Sequence, residues 1–167
     1  MRPYALGSVA TVAIVALSAA TSCMDPVHSD AVAALGGEAK GVRTGPEHRP
    51  GQPCLVCHGG DGPGSPEWSV AGTVYTTRGS TTPLSGATVV LIDPAGAERR
   101  LTTNRAGNFY IEASRWTPTY PLRVRIESGS EKAEMQSLIN GVSSCATCHR
   151  GDSGSARSVP AVYLGLP

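Results

Sequence analysis

Long apolar runs are scarce in this 167-residue chain. One stands out, Leu6 to Ala20, 15 residues rich in Ala and Val. It is too short for a comfortable membrane-spanning helix, and with Arg2 ahead of it fits the core of a secretory signal covering residues 1–22. Aromatic residues are few: one Phe, two Trp and five Tyr. A mature chain of about 145 residues so composed has little apolar material with which to enclose a large ligand. Neither sign of charge dominates, with 14 basic against 13 acidic residues, so the chain carries no electrostatic footprint for nucleic acid. The excess of Arg over Lys reads as genome composition. No Ser-His-Asp set, paired carboxylates or phosphate-cradling loop can be defended. Asp61, Asp152 and the stretch Gly59 to Gly64 read as loop residues. Histidine and methionine are sparse as well, four and three, which makes the placement of each informative.

The five cysteines are anything but scattered. Four of them build two copies of one pentapeptide, Cys54-Leu55-Val56-Cys57-His58 and Cys145-Ala146-Thr147-Cys148-His149. Cys-x-x-Cys-His is the attachment signature of c-type haem. Two thiols add across the haem vinyl groups, and the following histidine reaches the iron as proximal ligand. Cofactor attachment is therefore expected at Cys54, Cys57, Cys145 and Cys148, with His58 and His149 on the two irons of two covalent haem c groups. Two disulfides or one structural zinc are the alternatives, and neither requires a histidine directly after each pair.

Export is a condition of that chemistry, and the leader supplies it. The stretch Ala20-Thr21-Ser22-Cys23 resembles a bacterial lipobox, with Cys23 as the lipidated first residue of the mature protein and Ala20 in place of the usual leucine. Ordinary cleavage after Ala20, leaving Cys23 as a spare thiol, is the alternative. Met24 is not the aspartate that marks inner-membrane retention, which favours the outer membrane. Residues 23–53 are rich in Ala, Gly and Pro and lack aromatics, so they are expected to form a flexible tether spanning about 30 Å. Ala31 to Leu35 is expected to form one helical turn and nothing longer.

Between the two motifs lie 86 residues, Gly59 to Ser144, which read as β structure between a first haem-binding segment at 54–68 and a second at 139–167. Six strands are expected: Ser69–Thr76, Gly86–Asp93, Glu98–Thr103, Gly107–Ala113, Pro121–Ser128 and Lys132–Leu138. Turn residues at Pro94-Ala95-Gly96, Arg105 to Asn108 and Ser128-Gly129-Ser130 separate several of them. An even count of alternating strands would bring both haem motifs to one end of the module. The segments AGTVY (71–75), PLSGATV (83–89) and TTNRAGNFY (102–110) resemble the carboxypeptidase-regulatory, or transthyretin-like, module. That resemblance covers roughly residues 70–138 and implies a mainly β fold, an antiparallel transthyretin-like or Ig-like sandwich, here flanked by two short haem-binding segments. In that family such modules are usually adhesive or structural.

Distal iron ligands must come from the remaining histidines and methionines. His48, six residues before Cys54, is the first candidate for the first haem, and Met135, ten before Cys145, for the second. His28 could reach either iron, and a partner chain could also contribute. Arg49 and Arg150 are candidate partners for haem propionates. The expected function is electron transfer at the bacterial cell envelope by an exported lipoprotein, in the periplasm or on the cell surface. Its partners would be redox proteins, among them other multihaem cytochromes, and the membrane through its anchor. The rivals are a haem-bearing binding protein whose sandwich contacts an envelope partner or polysaccharide, and a small haem peroxidase or reductase. Exposed Trp68, Trp116 or Tyr120 would signal sugar binding, and a five-coordinate iron would signal catalysis.

Overall fold

The computed structural model describes residues 25–38, 44–151 and 159–165. The signal segment, Cys23, Met24 and Asp152 lie outside the described residues.

β-branched stretches punctuated by glycine turns fold into six strands: β1 (Trp68–Thr73), β2 (Thr88–Ile92), β3 (Glu98–Thr102), β4 (Asn108–Glu112), β5 (Arg123–Ser128) and β6 (Glu131–Glu134). They form two antiparallel sheets, β1–β4 and β3–β2–β5–β6. The alternation along each strand sends one set of side chains inward. Val70, Val74 and Phe109 from the first sheet and its extension meet Val89, Leu91 and Ile126 from the second, with Leu122 and Leu164, in one buried core. Central β2 is almost wholly buried, whereas edge strands β3 and β6 are mostly exposed and carry Glu98, Arg99, Arg100, Glu131, Lys132 and Glu134. Charged edges of this kind discourage pairing with another chain. Gly107 makes the turn into β4 at φ 74°, where a Cβ would lie 2.4 Å from the Val74 carbonyl oxygen. No other residue type fits there without strain.

Strand β1 organises the site. One edge pairs with β4, Gly72 facing Phe109 and Ala71 facing Tyr110. Along its other side Ala71 N–H donates to the Ser143 carbonyl (3.0 Å), and just beyond its end Tyr75 N–H donates to the Val162 carbonyl (2.9 Å). The segments before and after the second Cys-x-x-Cys-His motif thus run parallel to the β1 chain. The first motif packs on β1 as well, so the two motifs, 86 residues apart in sequence, share one strand.

The N-terminal stretch differs from the tether expected for it. Pro26–Ala34 is a nine-residue helix, α1. Asp25 caps it by accepting from the Val27 N–H (3.0 Å), and Pro26 takes a first-turn position where no intrahelical donor is needed. The Arg49 guanidinium donates to the Leu35 and Gly36 carbonyls just past the helix (3.4 and 2.7 Å) and to Glu38 (3.1 Å). Composition suggested a chain unable to bury a core. The helix instead borrows its support from the segment leading into the first motif.

Candidate functional site

Both cysteine motifs close the same one-turn structure. Cys54 caps the short helix α2 (Leu55–His58), and Cys145–Thr147 forms a 3₁₀ turn. His58 N–H donates to the Cys54 carbonyl (2.9 Å), and His149 N–H to the Cys145 carbonyl (2.8 Å). One helical turn sets residues three apart on the same face, so each cysteine pair shares a side, with its histidine next along.

The histidine rings are oriented alike. His58 Nδ1 lies 2.9 Å from the Pro66 carbonyl oxygen, and His149 Nδ1 lies 2.8 Å from that of Pro160. A carbonyl only accepts, so in each ring Nδ1 carries the hydrogen and Nε2 keeps its lone pair. That is the tautomer a metal-ligating histidine needs, and the carbonyl behind it raises its basicity. Glycines make the first arrangement possible. A Cβ on Gly64 would lie 2.9 Å from both the Cys57 oxygen and the His58 ring, and one on Gly62 would lie 2.1 Å from the Cys57 oxygen.

The surroundings of the two turns differ. At the first, the rings of His58 and Trp68 stack at 3.7 Å, and Trp68 and Tyr110 at 4.3 Å. A β-bulge between Trp68 and Val70 interrupts the register beside this stack. His48 stands 5.8 Å from His58 between ring centroids, the planes 20° apart. One metal held by two imidazoles at ordinary bond lengths separates their centroids by about 6 Å. Against that, His48 Nδ1 accepts a long hydrogen bond from Gly45 N–H (3.4 Å), which favours the opposite tautomer from that of His58. The groove among Leu35, His48, Cys54, Cys57, His58 and Trp68 holds only about 20 Å³, room for a water. At the second turn a cleft of about 330 Å³ opens, mostly apolar, with Cys145, Cys148 and His149 on its lining together with Met135, Val142 and Val162. That volume is in the range of small-molecule sites.

Burial governs the thiols. Desolvation pushes the Cys145 thiol up to about 12, with the nearby Cys54 adding a Coulombic contribution, and it pushes Cys54 up to about 11. Cys148 is exposed. No disulfide forms among the four described cysteines, and the described residues hold no group of three or more His, Cys, Asp or Glu able to take a metal ion by themselves.

Haem fits these residues on an observation independent of the motif. Trp68 Nε1 and Ser144 Oγ are buried without a hydrogen-bond partner. Trp68 lines the first cavity and Ser144 the second. Each can donate to a carboxylate, which haem carries and a zinc ion or a disulfide does not. The second cleft also has the volume and apolar lining. The first groove offers the donor set, but at about 20 Å³ it has no room for the macrocycle as it stands.

Of the other sequence candidates, Met135 lines the cleft of His149, and His48 lines the groove of His58. His28 is on α1, its Nε2 buried and unpartnered. Arg49 is engaged with Glu38, Gln52 and the end of α1 rather than free for a propionate, and Arg150 donates to the Thr147 carbonyl (3.0 Å). Trp68 stacks on His58, Trp116 packs against the core under Arg99, and Tyr120 hydrogen-bonds Ser143, so these rings form no exposed aromatic face. Sequence reasoning missed the carbonyls of Pro66 and Pro160, although a proline downstream of each motif was there to see. It also missed Phe109 as a cavity wall, whereas packing of Trp68 against the sandwich edge or a haem was the expectation for that ring. No family model matches the chain, and neither the curated proteins nor the solved structures include a match.

Proposed function

We propose that this chain is an exported dihaem c-type cytochrome that carries electrons at the bacterial cell envelope. The observation that carries the reading is the paired histidine geometry: two separate Cys-x-x-Cys-His turns, each with Nδ1–H held by a proline carbonyl and Nε2 left as ligand. A disulfide calls for no such histidine, and one zinc held by the four cysteines would leave both histidines without a role.

In this reading Cys54 and Cys57, and Cys145 and Cys148, supply the thioether sulfurs, and His58 and His149 the proximal nitrogens. Bound there, haem supplies a one-electron Fe(III)/Fe(II) couple. The chain does the rest. The Pro66 and Pro160 carbonyls fix the imidazole planes and strengthen their donors. The apolar lining of the second cleft excludes water from the ligand face. Met135 would be the second protein ligand there and His48 the one at the first turn, and His48 would hold the metal through Nε2 only with its hydrogen on Nδ1 rather than in the tautomer its bond from Gly45 favours. A transthyretin-like sandwich is the scaffold, and lipidation of Cys23 is the anchor, placing the protein at the outer membrane within reach of redox partners such as other multihaem cytochromes.

The test is the intact mass and optical spectrum of protein matured by the c-type haem machinery. Two haems that survive acid denaturation, with low-spin spectra in both oxidation states, support an electron carrier. A mass equal to the bare polypeptide returns the cysteines to zinc or disulfides. One high-spin iron that reacts with peroxide favours an enzyme instead.

A further inference from the structure

The segment leading into the first motif, residues 46–52, is tied across one end of the two-stranded sheet. Asn104 and Asn108 donate to the Pro46 carbonyl (2.6 and 3.4 Å), and Asn108 donates to that of His48 (3.0 Å). Gly51 N–H donates to Thr73 Oγ1 (2.8 Å), and Arg105 pairs with Glu47 (2.9 Å). Within the segment Arg49 stands at φ 48°, a left-handed conformation that a residue with a Cβ keeps only where its surroundings impose it. Its guanidinium holds the end of α1 against the segment. Leu35, Pro46, His48, Arg49 and Gln52 all line the groove of the first cysteine turn. The groove is therefore narrow because this strap lies over it. Yet no residue from 46 to 52 is buried, and none belongs to the core, so the strap can lift with the sandwich intact.

We propose that residues 46–52 are a latch over the first Cys-x-x-Cys-His turn: that turn receives haem only while the latch is lifted, whereas the cleft of the second turn receives it in the folded chain. The inference rests on the haem reading above. Closed, the first groove holds about 20 Å³, a water and not a macrocycle, against about 330 Å³ at the second turn. The ties that keep the latch shut are hydrogen bonds and one ion pair at the protein surface. Each contributes little where water competes for the same groups, and the left-handed Arg49 adds strain that opening relieves. The two motifs are thus unequal in a folded chain, one open and one latched, and they load in that order.

Intact mass of the matured protein under denaturing conditions comes first. Fewer than two covalent haems overturns the haem reading, and this inference with it. With two present, the folded, haem-free full chain, its thiols kept reduced, is titrated with haem and followed by the Soret absorbance. The unmodified chain is expected to take up one equivalent, lost in His149→Ala and kept in His58→Ala. The double variant Glu47→Ala with Arg49→Ala, which cuts the latch from Arg105 and from the end of α1, is expected to take up two. Two equivalents in the unmodified chain, none at all, or one that His58→Ala removes overturns the latch while leaving the cytochrome reading intact. A double variant that still stops at one equivalent overturns it as well. Should that variant fail to fold, amide hydrogen exchange of the unmodified chain decides. The amides of His48, Gly51 and Gln52 are expected to exchange about a hundredfold faster than those of β1, and equal protection would mean that the strap opens only when the sandwich does.

Discussion

Beside the paired histidine rings, two single atoms bear on the functional reading, and the fold leaves both unpaired. A buried donor without a partner costs about 1–3 kcal/mol, so Trp68 Nε1 and Ser144 Oγ are strain in the bare polypeptide and assets once a carboxylate enters. Trp68→Phe keeps a ring for His58 to stack on and removes the indole N–H together with part of the ring, a packing loss common to the haem-loaded and haem-free forms. We expect the variant to destabilise the haem-loaded protein about 1 kcal/mol more than the haem-free one. Urea denaturation of both forms measures it, and equal losses would mean that the donor stays unpaired when haem is bound. Met135 offers the complementary test. In the proposed reading each ligand would serve one of two haems, so Met135→Ala should turn about half of the iron from low to high spin, read in the visible spectrum. An unchanged spectrum removes Met135 from the iron. The histidines and cysteines were legible in the sequence because the motif is contiguous. The carbonyls of Pro66 and Pro160 were not, because they return to the histidine from 8 and 11 residues away along a loop path that no local pattern specifies.

Elements were easier to read than their surroundings. All six strands fall where alternation and turn chemistry place them, and the differences lie at their ends: the first runs Trp68–Thr73 rather than Ser69–Thr76, the last Glu131–Glu134 rather than Lys132–Leu138. Their division into a two-stranded and a four-stranded sheet was not legible, since it depends on which edges the flanking segments cover. The first helix was misjudged because its support is tertiary. Arg49 holds the chain just past α1, and Arg49→Ala should speed amide hydrogen exchange over residues 26–35 while the β1 and β2 amides stay as protected as before. Equal acceleration in the strands would make Arg49 a support of the whole fold rather than of the helix. On the four-stranded sheet, charges pair across strands. Arg100 of β3 and Arg125 of β5 both donate to Glu127. Those bonds, that of Arg100 first, hold the Glu127 carboxyl below its ordinary value of 4.5. A depressed carboxyl stabilises the fold fully above its unfolded pKa, and the contribution fades as pH falls through the lower folded value. Melting temperatures of the unmodified protein and Glu127→Gln should therefore differ at pH 7 and begin to converge as pH falls below about 4.5. A gap that does not narrow at all with falling pH would assign the effect to packing.

At the scale of the whole molecule, the two motifs are part of the scaffold rather than appendages to it. Cys145 packs against the core, the segments on either side of it run beside the β1 chain, and the first motif rests on the same strand. The fold that gathers the cysteines shields them unequally. Burial pushes the Cys145 thiol up, which lowers its thiolate fraction, and its Sγ packs close to Gly72, 2.7 Å from where a Cβ would sit. Cys148, three residues on, is exposed. Alkylation of folded, haem-free protein with iodoacetamide, mapped by peptide mass, should therefore modify Cys148 at least tenfold faster than Cys145. The difference should vanish in 8 M urea, where burial is lost. Equal rates in the folded state would show that the second turn opens freely. In the proposed reading both thiols of the second motif would face the cleft that takes the haem, and the half-buried Cys145 would be the slower of the two to form its thioether in a folded chain.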